Sequence, residues 1–355
     1  MNISLVQPSI SKASSNTVSP EDFLFKMGGF GVLLFAPAYS LLQNGLIDYK
    51  SLLLFEGIFF ANPHLVSSYL KAYTEKAEIE RNKFYTIYTP LLLLAVLCCF
   101  VYSFGSSFIW VLGSVYFYWQ WWHHARQSFG LGRQFQRRAQ IQTLENFDYK
   151  LNDIALWSVA VLGICLKSNV AGDYYEGIPI RSLHLPLPLV FAILIGVFLV
   201  AAFFISRQIQ IFYKHKIVQW AFITHWFTQS FVFICFFGLL PTDIGIIAAS
   251  FWHCTQYISF VKKHQEEKAN RGFIENTFWS NLFNKENWTN YLIILITLSL
   301  VLPALNLGIR TMQINAIALG YSLAITFHHY ILDAVLWTRK EVEWSLNPNR
   351  KSLTT

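Results

Sequence analysis

Ionised side chains are scarce in this sequence. Asp, Glu, Lys and Arg make up 13% of its 355 residues, against about 25% in soluble domains, and that shortfall excludes an ordinary water-soluble globule. Cysteine is used just as sparingly. Cys98, Cys99, Cys165, Cys235 and Cys254 show no CxxC spacing and fall in or beside apolar stretches. A disulfide framework is therefore excluded, and they are expected to be small buried hydrophobes. Inside the apolar stretches carboxylates are rarer still, with Glu56, Asp153, Asp243 and Asp333 as the near candidates. A calcium or magnesium cage wants more oxygen than that. Residues 1–20 lack a basic start followed by an apolar core, so a disordered cytoplasmic tail is expected there rather than a cleavable leader. Residues 341–355 form a second expected cytoplasmic tail.

What the chain has in quantity is apolar and aromatic side chain. Hydrophobic residues reach 54% and aromatics 17%, with 12 Trp and 17 Tyr, rings that favour membrane–water interfaces. About 20 apolar residues cross the hydrocarbon core as a helix. On that scale ten stretches qualify, near 27–46, 51–70, 86–104, 107–129, 152–168, 186–206, 217–239, 242–262, 290–306 and 311–337. The expected fold is all-α: a polytopic transmembrane bundle of about ten spanning helices, in one domain over 21–340. Basic residues divide between alternate loops. Clusters around Lys71, Arg133, Lys214, Lys262 and Arg339 alternate with loops holding only Lys50, Lys167, Arg181 and Arg310. The positive-inside rule places the richer set and both termini in the cytoplasm, as in a multi-pass protein of a bacterial-type inner membrane. The net charge of +7 then reports topology, and no nucleic-acid partner is expected. In the longest cytoplasmic loop, 263–289, Phe278, Trp279, Leu282 and Phe283 follow helical spacing and suggest a short interfacial helix.

Five histidine-bearing spots lie inside these stretches: Asn62-Pro63-His64, Trp122-His123-His124, His225-Trp226, Trp252-His253-Cys254 and Phe327-His328-His329-Tyr330. His64, His123, His253 and His328 precede Lys71, Arg133, Lys262 and Arg339, and His225 follows Lys216. At 1.5 Å rise per residue these offsets are roughly 10–17 Å. All five histidines therefore share one depth, in the cytoplasmic half, as a site shared between helices requires. Ionisable groups at membrane depth are costly and usually functional, although each histidine taken alone is as well explained by a local hydrogen bond. Histidine-dominated ligation suits iron, copper or zinc. The expected ligands are His64, His123, His253 and His328, with His124 and His329 as further candidates. Adjacent side chains on a helix diverge by about 100°, so each neighbour serves a second ion, a hydrogen bond or the substrate. Asp333 is expected to orient His328 or His329 or to ligate directly. Tyr257 is expected to act beside it in catalysis, hydrogen-bonding bound oxygen. His225 lacks a supporting acid and stays ambiguous.

These motifs resemble, in order and membrane setting, the Brp/Blh family of membrane β-carotene 15,15′-dioxygenases. Pro63-His64 is similar to the family's first motif and Trp122-His123-His124 to its second. His253-Cys-Thr-Gln-Tyr257-Ile-Ser-Phe-Val261 is similar to the third, and His328-His329-Tyr-Ile-Leu-Asp333 to the fourth. The chain departs from the pattern at Tyr257, where the family has a second histidine, and at Ser68, where it has an acid. The resemblance implies a non-haem ferrous iron oxygenase acting with dioxygen on an isoprenoid or carotenoid substrate. The histidine-box HxxxH and HxxHH patterns of membrane desaturases are absent. Taken together, the expectation is a histidine-ligated membrane enzyme with one or two iron ions and an apolar substrate drawn from the lipid. The alternatives are a transporter or channel with a histidine proton relay, and a b-type haem electron-transfer protein.

Overall fold

In the computed structural model, residues 22–105, 109–138, 145–170, 174–175, 178–216, 218–311 and 315–338 are described. The tails at 1–20 and 341–355 lie outside them. Each of the ten apolar stretches falls in a helical segment. These are α1 (Gly29–Gln43), preceded by a π-helical segment, Asp22–Lys26; α2 (Tyr49–Glu56) running through a π-helical turn, Gly57–Ala61, into α3 (Asn62–Tyr73); a further π turn, Phe84–Tyr88, opening α5 (Thr89–Phe104); α6 (Ile109–Arg138); α7 (Asn146–Val170); α8 (Leu187–His215); α9 (Trp220–Phe231) with a π segment, Val232–Gly238; α10 (Thr242–Asn270); α12 (Trp288–Ser299) followed by α13 (Val301–Thr311); and α14 (Asn315–Leu336). Short helices α4 (Lys76–Arg81) and α11 (Thr277–Leu282) lie between them, and the connection from α7 to α8 carries a two-stranded hairpin, Tyr174–Tyr175 with Ile178–Pro179. Six of these helical segments are long and apolar enough to cross a membrane: 84–104, 146–169, 187–215, 220–238, 242–270 and 285–309.

Two of the π turns have a common local cause. Pro63 and Pro90 have no N–H to donate and would clash with the carbonyl one turn back. In both cases the chain widens just before the proline. Asn62 N–H bonds Gly57 O and Thr89 N–H bonds Phe84 O, five residues back. The helix axis thus continues through the proline, and α3 is delivered in register to place His64. π turns of this kind recur at functional sites.

The layering follows from hydropathy. The most apolar span, α8, has 17% of its best window buried, while the least apolar, α10, has 94%. On α8, Phe191, Ile195, Phe198, Leu199 and Phe203 are exposed, a contiguous apolar face that suits acyl chains and would be an aggregation liability in water. α10 is enclosed by its neighbours and so carries His253, Cys254, Thr255, Gln256 and Tyr257 without exposing them to lipid. Close approach is built in. A Cβ on Gly31 of α1 would lie 2.1 Å from Phe251 O of α10, so no larger residue fits there without moving a backbone.

Two details differ from the sequence reading. The 263–289 loop is shorter than expected, because α10 continues to Asn270 and takes His264 into the packed interior. Within α11 the apolar face turns inward: Leu282 and the following Phe283 are buried against Tyr291 and Leu295 in one cluster, leaving Phe278 exposed.

Candidate metal centre

Three helices bring polar groups to one buried point. α3 supplies His64, α6 His123, and α14 both His329 and Asp333. One ligand atom from each of these four buried residues lies within 4.8 Å of all the others, a group able to hold a metal ion. The Nε2 atoms of His64 and His329 are 2.8 Å apart. Two nitrogens bound to one ion at about 2 Å each stand roughly 3 Å from one another, so this separation already suits shared ligation. Asp333 Oδ2 is 3.8 Å from His123 Nε2 and 3.7 Å from His329 Nε2. His123 Nε2 and Asp333 Oδ2 have no hydrogen-bond partner among the described residues, which buried polar atoms rarely tolerate. A cation between them satisfies both.

The carboxyl of Asp333 is fixed from behind. Its other oxygen, Oδ1, accepts from Ser68 Oγ at 3.0 Å and from the Tyr257 hydroxyl. Tyr257 in turn accepts from Trp337 Nε1 at 2.9 Å and lies 2.6 Å from Ser68 Oγ, whose single hydrogen is shared between Tyr257 and Asp333. These supports sit one helical turn beyond a site histidine or the acid: Ser68 after His64, Tyr257 after His253, Trp337 after Asp333. Positions i and i+4 share a helix face, so a layer of ligands rests on a layer of hydrogen-bonding groups. The two positions at which the chain departs from the resemblance, Ser68 and Tyr257, touch each other here.

Several expected assignments change. His328, expected as a ligand, points away from the cluster: its Nε2 meets Tyr85 O at 2.8 Å and its Nδ1 meets Tyr69 Oη at 3.2 Å. The adjacent His329 takes its place, as the 100° turn between neighbours demands. The Tyr257 hydroxyl is occupied by Asp333, Ser68 and Trp337, so Tyr257 positions the carboxylate rather than reaching a reacting oxygen. His225 is held in a separate hydrogen-bonded network, its Nε2 lying 2.9 Å from Ser128 O while Ser128 Oγ donates to Gln229 at 2.5 Å. His253 and His124 stand beside the cluster, their ring centroids 4.0 Å apart. The His253 ring is 4.7 Å from His64 and 4.9 Å from His123. Sequence reasoning missed Trp337, and it noted Ser68 only as a missing acid. The four-residue spacing His329–Asp333–Trp337 was the available signal.

On the side away from Tyr257 the centre faces a cavity of ≈ 590 Å³. His64, His123, His124, His253 and His329 form its floor. Glu56, Asn62 and Gln120 line it together with α13 and α14 residues, including Pro303 and Leu307. Leu307 is also 63% exposed, so the cavity lining reaches the surface of the bundle there.

The chain matches no protein-family model, no curated protein and no solved structure.

Because Tyr257 fixes the ligand carboxyl, Tyr257→Phe is expected to weaken metal binding about 10–100-fold, the usual cost of losing such a support, while the fold is kept. Metal titration of the purified variant checks this. Unchanged affinity would remove Tyr257 from the centre.

Proposed function

We propose that the chain is a membrane-embedded metal enzyme, a non-haem iron oxygenase that acts on an apolar lipid or isoprenoid substrate. The observation that carries this reading is the convergence of His64, His123, His329 and Asp333 from three helices, with the three histidines also lining a cavity that includes the exposed Leu307. Three imidazoles and one carboxylate make a nitrogen-rich donor set of the kind that suits ferrous iron. When bound, ferrous iron supplies a site for dioxygen activation. Asp333 offsets part of the ion's charge in a dry environment, and Ser68 and Tyr257 keep its free oxygen aimed inward. The cavity is in the size range of small-molecule sites, roughly 300–1,000 Å³, and its helical walls exclude bulk water while admitting an apolar chain. Dioxygen and lipid both concentrate in the bilayer, where the site sits.

The same reading carries the topology: ten spans, both termini cytoplasmic and the centre in the cytoplasmic half of a bacterial-type inner membrane. The motif order shared with the membrane β-carotene dioxygenases supports an isoprenoid or carotenoid substrate. A haem is less well served, because the His64 and His329 nitrogens, 2.8 Å apart, leave no space for a macrocycle plane between them.

Metal analysis of detergent-purified full-length protein tests the proposal. Near-stoichiometric iron is expected, with consumption of dioxygen when a bilayer-dissolved substrate is added. Protein that retains no first-row metal and takes none up on anaerobic reconstitution would overturn it.

A further inference from the structure

The geometry points to a second metal ion in the same cavity, held between α6 and α10 by His124 and His253. This rests on the metal reading above and extends it from one ion to two.

His253 is the observation that requires it. It is 1% exposed, and neither Nδ1 nor Nε2 has a hydrogen-bond partner among the described residues. A neutral imidazole carries one N–H to donate and one lone pair to fill. An ion fills the lone pair on one of these two buried nitrogens. The rings packed against it at 4.0–4.9 Å are His124, His64 and His123. Two of these belong to the four-residue group already described, and His253 is outside that group. His124 is the ring left to share an ion with it. Imidazoles bound at about 2 Å to one ion have centroids no more than roughly 6 Å apart, and this pair is at 4.0 Å.

A second feature marks the same place. Gln127 and Gln256 lie three residues beyond His124 and His253, on the same faces of α6 and α10. Gln127 reaches across to the His253 carbonyl at 3.5 Å. Its Oε1, and both amide atoms of Gln256, are buried without partners among the described residues. Two His-x-x-Gln pairs thus stand on adjoining helices, and both histidines also line the cavity. Every donor in this set is neutral. The second ion therefore binds more weakly than the one that Asp333 helps to hold, prefers a nitrogen-seeking first-row divalent metal, and leaves positions open to the cavity.

The test is an anaerobic Co(II) titration of the full-length protein in detergent, followed by absorption and electron paramagnetic resonance. Wild type is expected to take up two equivalents in a tight and a weaker step, and the second to reduce the signal of the first by spin coupling. His253→Phe and His124→Phe are expected to lose only the weaker step. Saturation of wild type at one equivalent would overturn the second ion and leave the single-ion centre standing, whereas uptake of none would remove both. Should the variants fail to fold, the wild-type titration decides alone: two equivalents with simply additive signals would overturn a shared cavity.

Discussion

Replacing His329 by Ala is expected to abolish metal binding at the candidate centre, whereas replacing His328 by Ala is expected to leave it intact. The two residues are adjacent on α14, share one depth and one chemistry, and are both buried. They differ in direction. His329 faces His64, His123 and Asp333, and His328 faces Tyr69 and Tyr85 O. Removal of a ligand costs more than the ~10–100-fold lost with an outer hydrogen-bond partner, so His329→Ala should fall below detection in metal analysis after dialysis. His328→Ala breaks two hydrogen bonds away from the ion and should show its effect in thermal stability instead. Equal metal content in both variants would dissolve the centre as described.

Lys268→Met is expected to be the most destabilising single substitution outside the centre, by about 3–5 kcal/mol, the usual result of leaving a buried charge without its partner. Lys268 is fully buried in the last turn of α10 and binds Glu75 and, at 2.7 Å, Glu78. Lys71 approaches Glu78 at 3.7 Å and lies over the Trp337 ring, so the cluster ties α3, α4 and α10 together beneath the metal centre. Burial alone would lift the Glu78 carboxyl, but Lys71 and Lys268 together pull it below its ordinary value. At Glu75 burial exceeds the pull of Lys268, and the carboxyl stays raised. The stability contributed by Glu78 is therefore present above the ordinary carboxylate range and is lost as pH falls through its depressed value. Without Lys268 both carboxyls rise, and protonation relieves an uncompensated charge. The deficit of the variant should thus narrow between pH 7 and about pH 4. Thermal unfolding in detergent at the two pH values checks this. A deficit independent of pH would show that the cluster is not held by charge.

Much of the architecture was legible because membrane helices announce themselves by length and hydropathy. The ten apolar stretches lie on helical segments, and the shared depth of the histidines did foretell that His64 and His123 would meet. Direction around the helix was harder to read. Asp333 is five residues from His328 and four from His329, and only the latter spacing keeps both on one face. That argument selects His329, but the motif resemblance drew attention to His328. Ser68 and Trp337 were not recoverable from type alone, since a serine or tryptophan in an apolar helix is ordinary. Their roles exist only once α3, α10 and α14 are brought together. The end of α10 at Asn270 is hidden in the sequence, because Lys262, Lys263 and Lys268 have the composition of a loop. In the fold Lys262 donates to Phe283 O and Asn284 O, and Lys268 meets two carboxylates, so their charges are compensated inside the protein.

On the proposed enzyme reading, the exposed Leu307 end of the cavity also governs how rates must be measured. A compound reaching His329 by that route diffuses in two dimensions, and its activity is its mole fraction in the bilayer or micelle, not its molarity in the tube. Added detergent then acts as a diluent: turnover should decline as the amphiphile-to-reactant ratio rises at fixed total reactant, a surface-dilution behaviour that a water-facing pocket would not show.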